Sequence, residues 1–248
     1  MRTVVVGASS GLGRCIAVGL ARRGDHVAVL ARRRDMLVEA AEEAGSGTLA
    51  VVCDVTDADS CRNALGEAAD GLGGIDALVY TPAIGPLKSL MDTDAETWRR
   101  VFDTNVIGAA LVTKSAMAHL EEAHGVAAFL SSVSASMTPP WPGLGAYAVS
   151  KAALDKLIEA WRAEHPEVGF TRLIVGECAG GEGDGTSQFT ASWDLELAGE
   201  LFAEWTARGL LTDKLMDVEH FISAVHALVQ CGASVTIPTI AMTPRRPI

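Results

Sequence analysis

The chain is expected to fold as a doubly wound α/β protein, a seven-stranded parallel sheet with helices on both faces. Three observations lead there. Short, continuously apolar runs alternate with helical patterns from end to end, as strands covered on both faces require. The first run, Thr3–Val6, breaks at Gly7, and Gly11 and Gly13 then open a helix-compatible segment, giving a strand, a glycine turn and a helix in succession. No linker or repeat interrupts the alternation, and 248 residues suit a single domain over 1–248.

Strands are expected at Thr3–Val6, His26–Leu30, Thr48–Val52, Ile75–Tyr80, Val126–Ser131, Phe170–Val175 and Ser234–Ile237, where β-branched and aliphatic residues cluster. Helical patterns cover about 12–23, 34–44, 57–70, 94–123, 146–165 and 217–230. The crossovers between parallel strands are expected to be right-handed. One stretch breaks the rhythm, residues 176–211. It opens with a loop rich in glycine and acids, Gly176 to Gly185, and continues into one or two helices carrying Trp193, Phe202 and Trp205. A long insertion after a late strand suits a substrate lid; a surface loop with an amphipathic helix behind it is the plainer reading.

Composition narrows the function classes. A net charge of −11 argues against a nucleic-acid surface, so any anionic ligand must be held by local groups. The five cysteines (Cys15, Cys53, Cys61, Cys178, Cys231) form no C-x-x-C pair, and the six histidines contain no H-E-x-x-H. Free thiols in a reducing compartment follow, with no metal site expected. The acidic loop lacks D-x-D-x-D spacing, which removes calcium as well. No apolar run has membrane-spanning length, and the chain enters a strand almost at once, leaving no room for a signal peptide. A soluble cytoplasmic protein is therefore expected, with no nucleic-acid or membrane partner.

The turn Gly7-Ala8-Ser9-Ser10-Gly11-Leu12-Gly13 would present a helix N-terminus to a phosphate. In that reading Gly7 turns the chain, Gly11 admits a pyrophosphate and Gly13 lets helix and strand pack closely. The spacing is G-x-x-x-G-x-G, not the standard dinucleotide fingerprint G-x-G-x-x-G. The second strand runs into Arg32, Arg33 and Arg34, with no carboxylate before Asp35. An acid there would hold the ribose hydroxyls of NAD, whereas guanidinium forks at Arg32 and Arg33 suit the 2′-phosphate of NADP(H). The three arginines alternatively cap a solvated helix start. After the third strand, Cys53-Asp54-Val55 is placed to face an adenine, with Asp54 bonding its amino group or else serving as a turn residue.

Tyr147 and Lys151 lie four apart at the start of a helix and so share a face. A phenol with a pKa near 10 is a poor acid at neutral pH, and a neighbouring ammonium would lower it toward the working range. The pair is suited to protonate a carbonyl oxygen or to deprotonate an alcohol.

Together, Gly7-Ala8-Ser9-Ser10-Gly11-Leu12-Gly13, Cys53-Asp54-Val55-Thr56, Asn105-Val106-Ile107-Gly108, Ser131-Ser132 and Tyr147-x-x-x-Lys151 resemble the short-chain dehydrogenase/reductase family over residues 1 to about 175. The resemblance implies a Rossmann-type fold with Tyr147 as acid/base. It implies Lys151 as the group that lowers the phenol's pKa and binds the nicotinamide ribose. Ser132 would polarise the substrate carbonyl, and Asn105 would hold a relay water.

The chain departs from the family at three places. The usual Asn-Asn-Ala-Gly after the fourth strand is Tyr80-Thr81-Pro82-Ala83, so Pro82 loses a donor and Ala83 adds a methyl beside the cofactor. Ser132 stands fifteen residues before Tyr147 where thirteen is common, leaving Ser134 as an alternative catalytic serine. The usual Pro-Gly after the sixth strand is Cys178-Ala179-Gly180, with Thr186 standing in for the carboxamide ligand. The resulting expectation is an NADP(H)-dependent oxidoreductase acting on an apolar carbonyl or alcohol. Trp141, Trp193, Phe202 and Trp205 would line its pocket. A dinucleotide-binding sensor or scaffold and an NAD-dependent enzyme are the rivals. Family members pair through the helices at 94–123 and 146–165, where Gly108, Ala109, Ala110, Ala152 and Ala153 permit close contact, so a homodimer or homotetramer is expected.

Overall fold

The computed structural model describes residues 1–180, 187–212 and 214–245. Its centre is a seven-stranded parallel sheet in the order β3-β2-β1-β4-β5-β6-β7. The strands are β1 (Arg2–Val6), β2 (His26–Ala31), β3 (Leu49–Val52), β4 (Ala77–Tyr80), β5 (Val126–Ser132), β6 (Gly169–Val175) and β7 (Thr239–Met242). Helices α1 (Gly11–Arg22), α2 (Arg34–Ala44), α3 (Ala58–Leu72), α4 (Ala95–Phe102), α5 (Gly108–Ala123), α6 (Val133–Ser136), α7 (Gly145–Glu164), α8 (Leu195–Ala207) and α9 (Val218–Val229) complete the order. This is the expected doubly wound arrangement.

The apolar runs are continuous because alternate residues serve two cores. Val4 and Val6 pack with Leu65, Val112 and Leu154 beneath α3, α5 and α7, while Val5 packs with Ile16, Leu20 and Phe221 beneath α1 and α9. Strand order reverses between β1 and β4, and at such a point the carboxyl ends of the strands open a crevice.

Two expectations are corrected. The last strand is Thr239–Met242 and not Ser234–Ile237. Pro238 has no N–H to give the ladder, so regular pairing begins after it, with Thr239 opposite Arg172. The β-branched residues before Pro238 remain outside, and Val235 is half exposed. The single helix expected over 94–123 is interrupted at Asp103–Ile107 by a π-helical turn between α4 and α5. Such insertions cluster at functional sites, and this one carries Asn105.

Candidate active site

The glycine turn packs as tightly as its spacing implied. A Cβ on Gly13 would lie 2.4 Å from the Gly7 carbonyl oxygen and 2.4 Å from Thr81 Oγ1, so helix and strand meet only because both side chains are absent. Gly7 has φ +84, open to glycine at no steric cost. Thr81, where the resemblance leads one to expect an asparagine, joins two strand ends. Its amide and its hydroxyl both donate to the Val6 carbonyl, at 3.1 and 2.7 Å, tying the ends of β1 and β4 together. Threonine's small hydroxyl fits the gap that Gly7 and Gly13 leave.

A cleft of about 470 Å³ opens above these strand ends. Gly7, Ser9, Ser10, Gly11, Leu12 and Gly13 line its floor; Arg32, Arg33 and Val55 stand at one end, and Ala83, Tyr147 and Lys151 at the other. Arg33 Nη2 donates to Ser9 Oγ at 2.9 Å and to Ser10 Oγ at 2.8 Å, which fixes a guanidinium beside the turn. Asp54 has other work than lining the cleft. Its Oδ1 accepts from the Thr56 amide at 2.9 Å and the Thr56 hydroxyl at 2.8 Å, the turn role weighed against adenine binding. Thr186 lies outside the described residues.

At the other end, α7 brings Tyr147 and Lys151 to the same wall, with Lys151 Nζ 5.8 Å from the phenol ring centre. Lys151 Nζ donates to the Leu130 carbonyl at 2.5 Å. Burial pushes the phenol up to about 12, opposed by a hydrogen bond from Ser132. Burial lowers the ammonium to about 8, opposed by the charge of Asp155. The expected depression of the phenol by its lysine is not present in the protein alone: burial raises the phenol, and the influence opposing it comes from Ser132. Near neutral pH the phenol keeps its proton and the lysine its charge, an arrangement suited to proton donation.

Ser132 ends β5 and caps α6, accepting from the Ser134 amide at 3.2 Å, while the two serine hydroxyls lie 3.0 Å apart. Of the two, Ser132 is the one whose hydroxyl opposes the rise of the phenol's pKa. Asn105, wholly buried in the π-helical turn, accepts from the Ile84 amide at 2.8 Å. It donates to the Ile84 carbonyl at 2.9 Å and to Ser150 Oγ at 2.8 Å. It thereby clamps the loop after β4 to α7 and holds the far wall of the cleft in place.

Residues beyond these also form the site. Phe189 sits edge-on to Tyr147, ring centres 5.0 Å apart, with Trp193 5.7 Å beyond it. Gly85 makes room for it: a Cβ there would lie 2.3 Å from Phe189 Cζ, and Trp193 Nε1 donates to the Gly85 carbonyl at 2.8 Å. Phe189 follows an aperiodic glycine-rich loop, so its place over the phenol has no sequence signal. The other aromatics form a small core of their own more than a pocket wall. Trp205 is 1% exposed, packs on Trp141 at 5.1 Å and donates to the Pro142 carbonyl, while Phe202 faces outward. Gly180 and Ser187 lie over the glycine turn: a Cβ on Gly11 would be 3.2 Å from Ser187 Cα. Gly108 and Ala109 are buried internally, Gly108 beneath the Tyr80 hydroxyl, so both serve intramolecular packing.

A doubly wound sheet with a glycine-turn crevice, an arginine at one end and a serine–tyrosine–lysine group at the other defines a dinucleotide-type oxidoreductase architecture. The family model described as short chain dehydrogenase matches residues 2–182. The chain belongs to the short-chain dehydrogenase/reductase family of oxidoreductases. It is 35% identical over 179 residues to 11-beta-hydroxysteroid dehydrogenase A of Sesamum indicum, covering 70% of this chain and 51% of that protein. It is 34% identical over 155 residues to dehydrogenase/reductase SDR family member 4 of Oryctolagus cuniculus, covering 61% and 59%. The chain thus spans somewhat over half the length of these relatives.

In structure it is similar to an alcohol dehydrogenase of the archaeon Thermococcus sibiricus complexed with 5-hydroxy-NADP. The TM-score is 0.81 at 23% identity, covering 99% of this chain and 98% of that one. It is also similar to a 3-ketoacyl-(acyl-carrier-protein) reductase of Brucella melitensis complexed with NADH, with TM-score 0.80, 21% identity and coverage of 97% and 96%. Among the described residues no helix is long and apolar enough to cross a membrane, and no cluster of His, Cys, Asp or Glu suits a metal ion.

Proposed function

We propose that the protein is an NADP(H)-dependent oxidoreductase interconverting a carbonyl and a secondary alcohol on a small, apolar molecule. The observation that carries this reading is one cleft with the glycine turn and Arg33 at one end and Tyr147 beside Lys151 at the other. The turn fits a dinucleotide: Gly7, Gly11 and Gly13 border the cleft without side chains, and Ser10 at the N-cap of α1 makes no side-chain cap bond, leaving the first amides to an anion. When bound, the nicotinamide supplies or takes the hydride.

The chain's own residues do the rest. Ser132 holds the carbonyl oxygen and stabilises charge developing on it. Tyr147 donates its proton to that oxygen, or removes one from the alcohol in the reverse direction. Lys151 holds positive charge next to the phenolate so formed, and Asn105 fixes the backbone that shapes the pocket and would hold a relay water. Arg32 and Arg33 select the 2′-phosphate. Ala83 and Val55 flank the cofactor, and residues 187–211 act as a substrate lid that presents Phe189 and Trp193 to an apolar substrate.

Residues 1–248 act as one domain, and the five cysteines, all free, suit a cytoplasmic setting. The helix surface carrying Ile107 and Val149, each 47% exposed, is where a homodimer or homotetramer would form. The test is NADPH oxidation against a panel of ketones, with Tyr147→Phe as control. Turnover should fall by about 10²–10⁴-fold while the fold is retained; unchanged turnover ends the mechanism. Tight NADPH binding with no turnover on any carbonyl or alcohol would instead favour a dinucleotide-binding sensor.

A further inference from the structure

Behind the lysine, on the side away from the cleft, lies a carboxylate that the reaction as described does not use. Tyr147, Lys151 and Asp155 are spaced four apart on α7 and form one stripe facing the sheet. Asp155 is 5% exposed, and both its oxygens are shut from water with no hydrogen-bond donor. Ser131 Oγ on β5, which faces the same layer, is likewise buried without a partner. Arg172 of β6 approaches Asp155 to 3.9 Å and also reaches Glu159 at 3.5 Å, one turn nearer solvent.

A buried carboxylate lacking donors is costly, and a neutral side chain of its shape would serve packing better. What it does have is cations on both sides, Lys151 one turn before and Arg172 across the layer. We propose that Asp155 is a positioning residue for Lys151: its buried carboxylate is the counter-charge that keeps the ammonium cationic beside Tyr147. The inference rests on the proposed reaction for its catalytic meaning, but the electrostatic link stands apart from it. Of the titratable groups around Lys151 among the described residues, α7 contributes Tyr147 and Asp155, and β6 contributes Arg172 through Asp155. β5 faces Lys151 with the Leu130 carbonyl. Asp155 is the group whose charge opposes desolvation at the lysine; burial pushes the Asp155 carboxyl up in its turn, and the charges of Arg172 and Lys151 act against that rise and favour the ionised carboxylate.

The test reads the lysine directly. The chain has five lysines, so ¹⁵N-lysine NMR resolves each, with Lys151→Arg assigning the signal. In Asp155→Asn the Lys151 midpoint should fall by about one pH unit, a roughly tenfold loss of proton affinity, and Asp155→Glu should recover most of it. The alkaline limb of kcat/KM should move by the same amount and in the same direction. Should the Asn variant not fold, the reciprocal measurement serves, because coupling acts equally on both partners. In Lys151→Met the Asp155 carboxyl midpoint, read by ¹³C NMR, should rise. A Lys151 midpoint unmoved in Asp155→Asn, or an Asp155 midpoint unmoved in Lys151→Met, overturns the proposal, as does lowered stability with no change in titration. Absence of any turnover in the wild type would defeat the redox reading alone and leave these titrations decisive.

Discussion

Removing the guanidinium that touches the serine pair separates NADPH from NADH binding. Arg33 Nη2 is already held at 2.9 and 2.8 Å from Ser9 and Ser10, so it needs little ordering to meet an anion at the turn. Burial, and after it the charge of neighbouring Arg32, lowers the Arg33 pKa. Two adjacent like charges are relieved by a phosphate placed between them. A hydrogen bond to a charged group contributes about 1.5–3 kcal/mol, and Arg33 lies on an exposed rim, which places it at the lower end.

At about 1.4 kcal/mol per decade, Arg33→Ala should weaken NADPH roughly tenfold and leave NADH within about twofold. Arg32→Ala should act in the same sense. Fluorescence titration with both dinucleotides measures the ratio. Repeating it in high salt should shrink the NADPH loss, since screening shortens from about 10 Å at 0.1 M to about 3 Å at 1 M. Equal losses for both dinucleotides would refute the phosphate argument.

Three further outcomes follow from the geometry. Gly13→Ala drives a methyl into the Gly7 carbonyl and the Thr81 hydroxyl, both at 2.4 Å, and the carbonyl is backbone that cannot rotate away. It should cost about 3 kcal/mol or more, lowering the thermal midpoint by roughly 6–12 °C; calorimetry showing an unchanged midpoint would contradict the packing. Burial lowers the Lys151 ammonium to about 8 in the fold against 10.5 for an ordinary lysine, so the unfolded chain binds more protons between those values. Wild-type stability relative to Lys151→Met should therefore rise with pH across that window, and denaturant titrations giving a fall would contradict a lysine held below its ordinary pKa. Phe189→Ala empties the space over the phenol ring and should shift the ketone panel toward bulkier substrates. An unaltered substrate order would remove Phe189 from the pocket.

Much of the fold could be read from the chain because the signals were local. Six strands fall within two residues of their apolar runs, and the glycine turn declares itself by composition. The seventh escaped because Ser234–Ile237 and Thr239–Met242 are both strand-like, and only the missing amide of Pro238 decides between them. The π-helical turn left no mark on the apolar period, since its cause is tertiary: Asn105 is drawn inward to Ile84 and Ser150. Thr81 looked like a lost asparagine because its bond to Val6 spans 75 residues. Asp155, flanked by Leu154 and Lys156, reads as part of a solvated helix face. Its spacing from Lys151 was the available clue, and only the layer of Ser131 and Arg172 gives that spacing meaning.

The position of Pro238 has a consequence for how the molecule behaves among copies of itself. β3 and β7 are the two borders of the sheet, and each is four residues long. A border so brief, with an imide stop at the head of β7, offers an incoming strand few free amides and carbonyls to recruit. Each border of the seven-stranded sheet is thereby a poor template for an eighth strand.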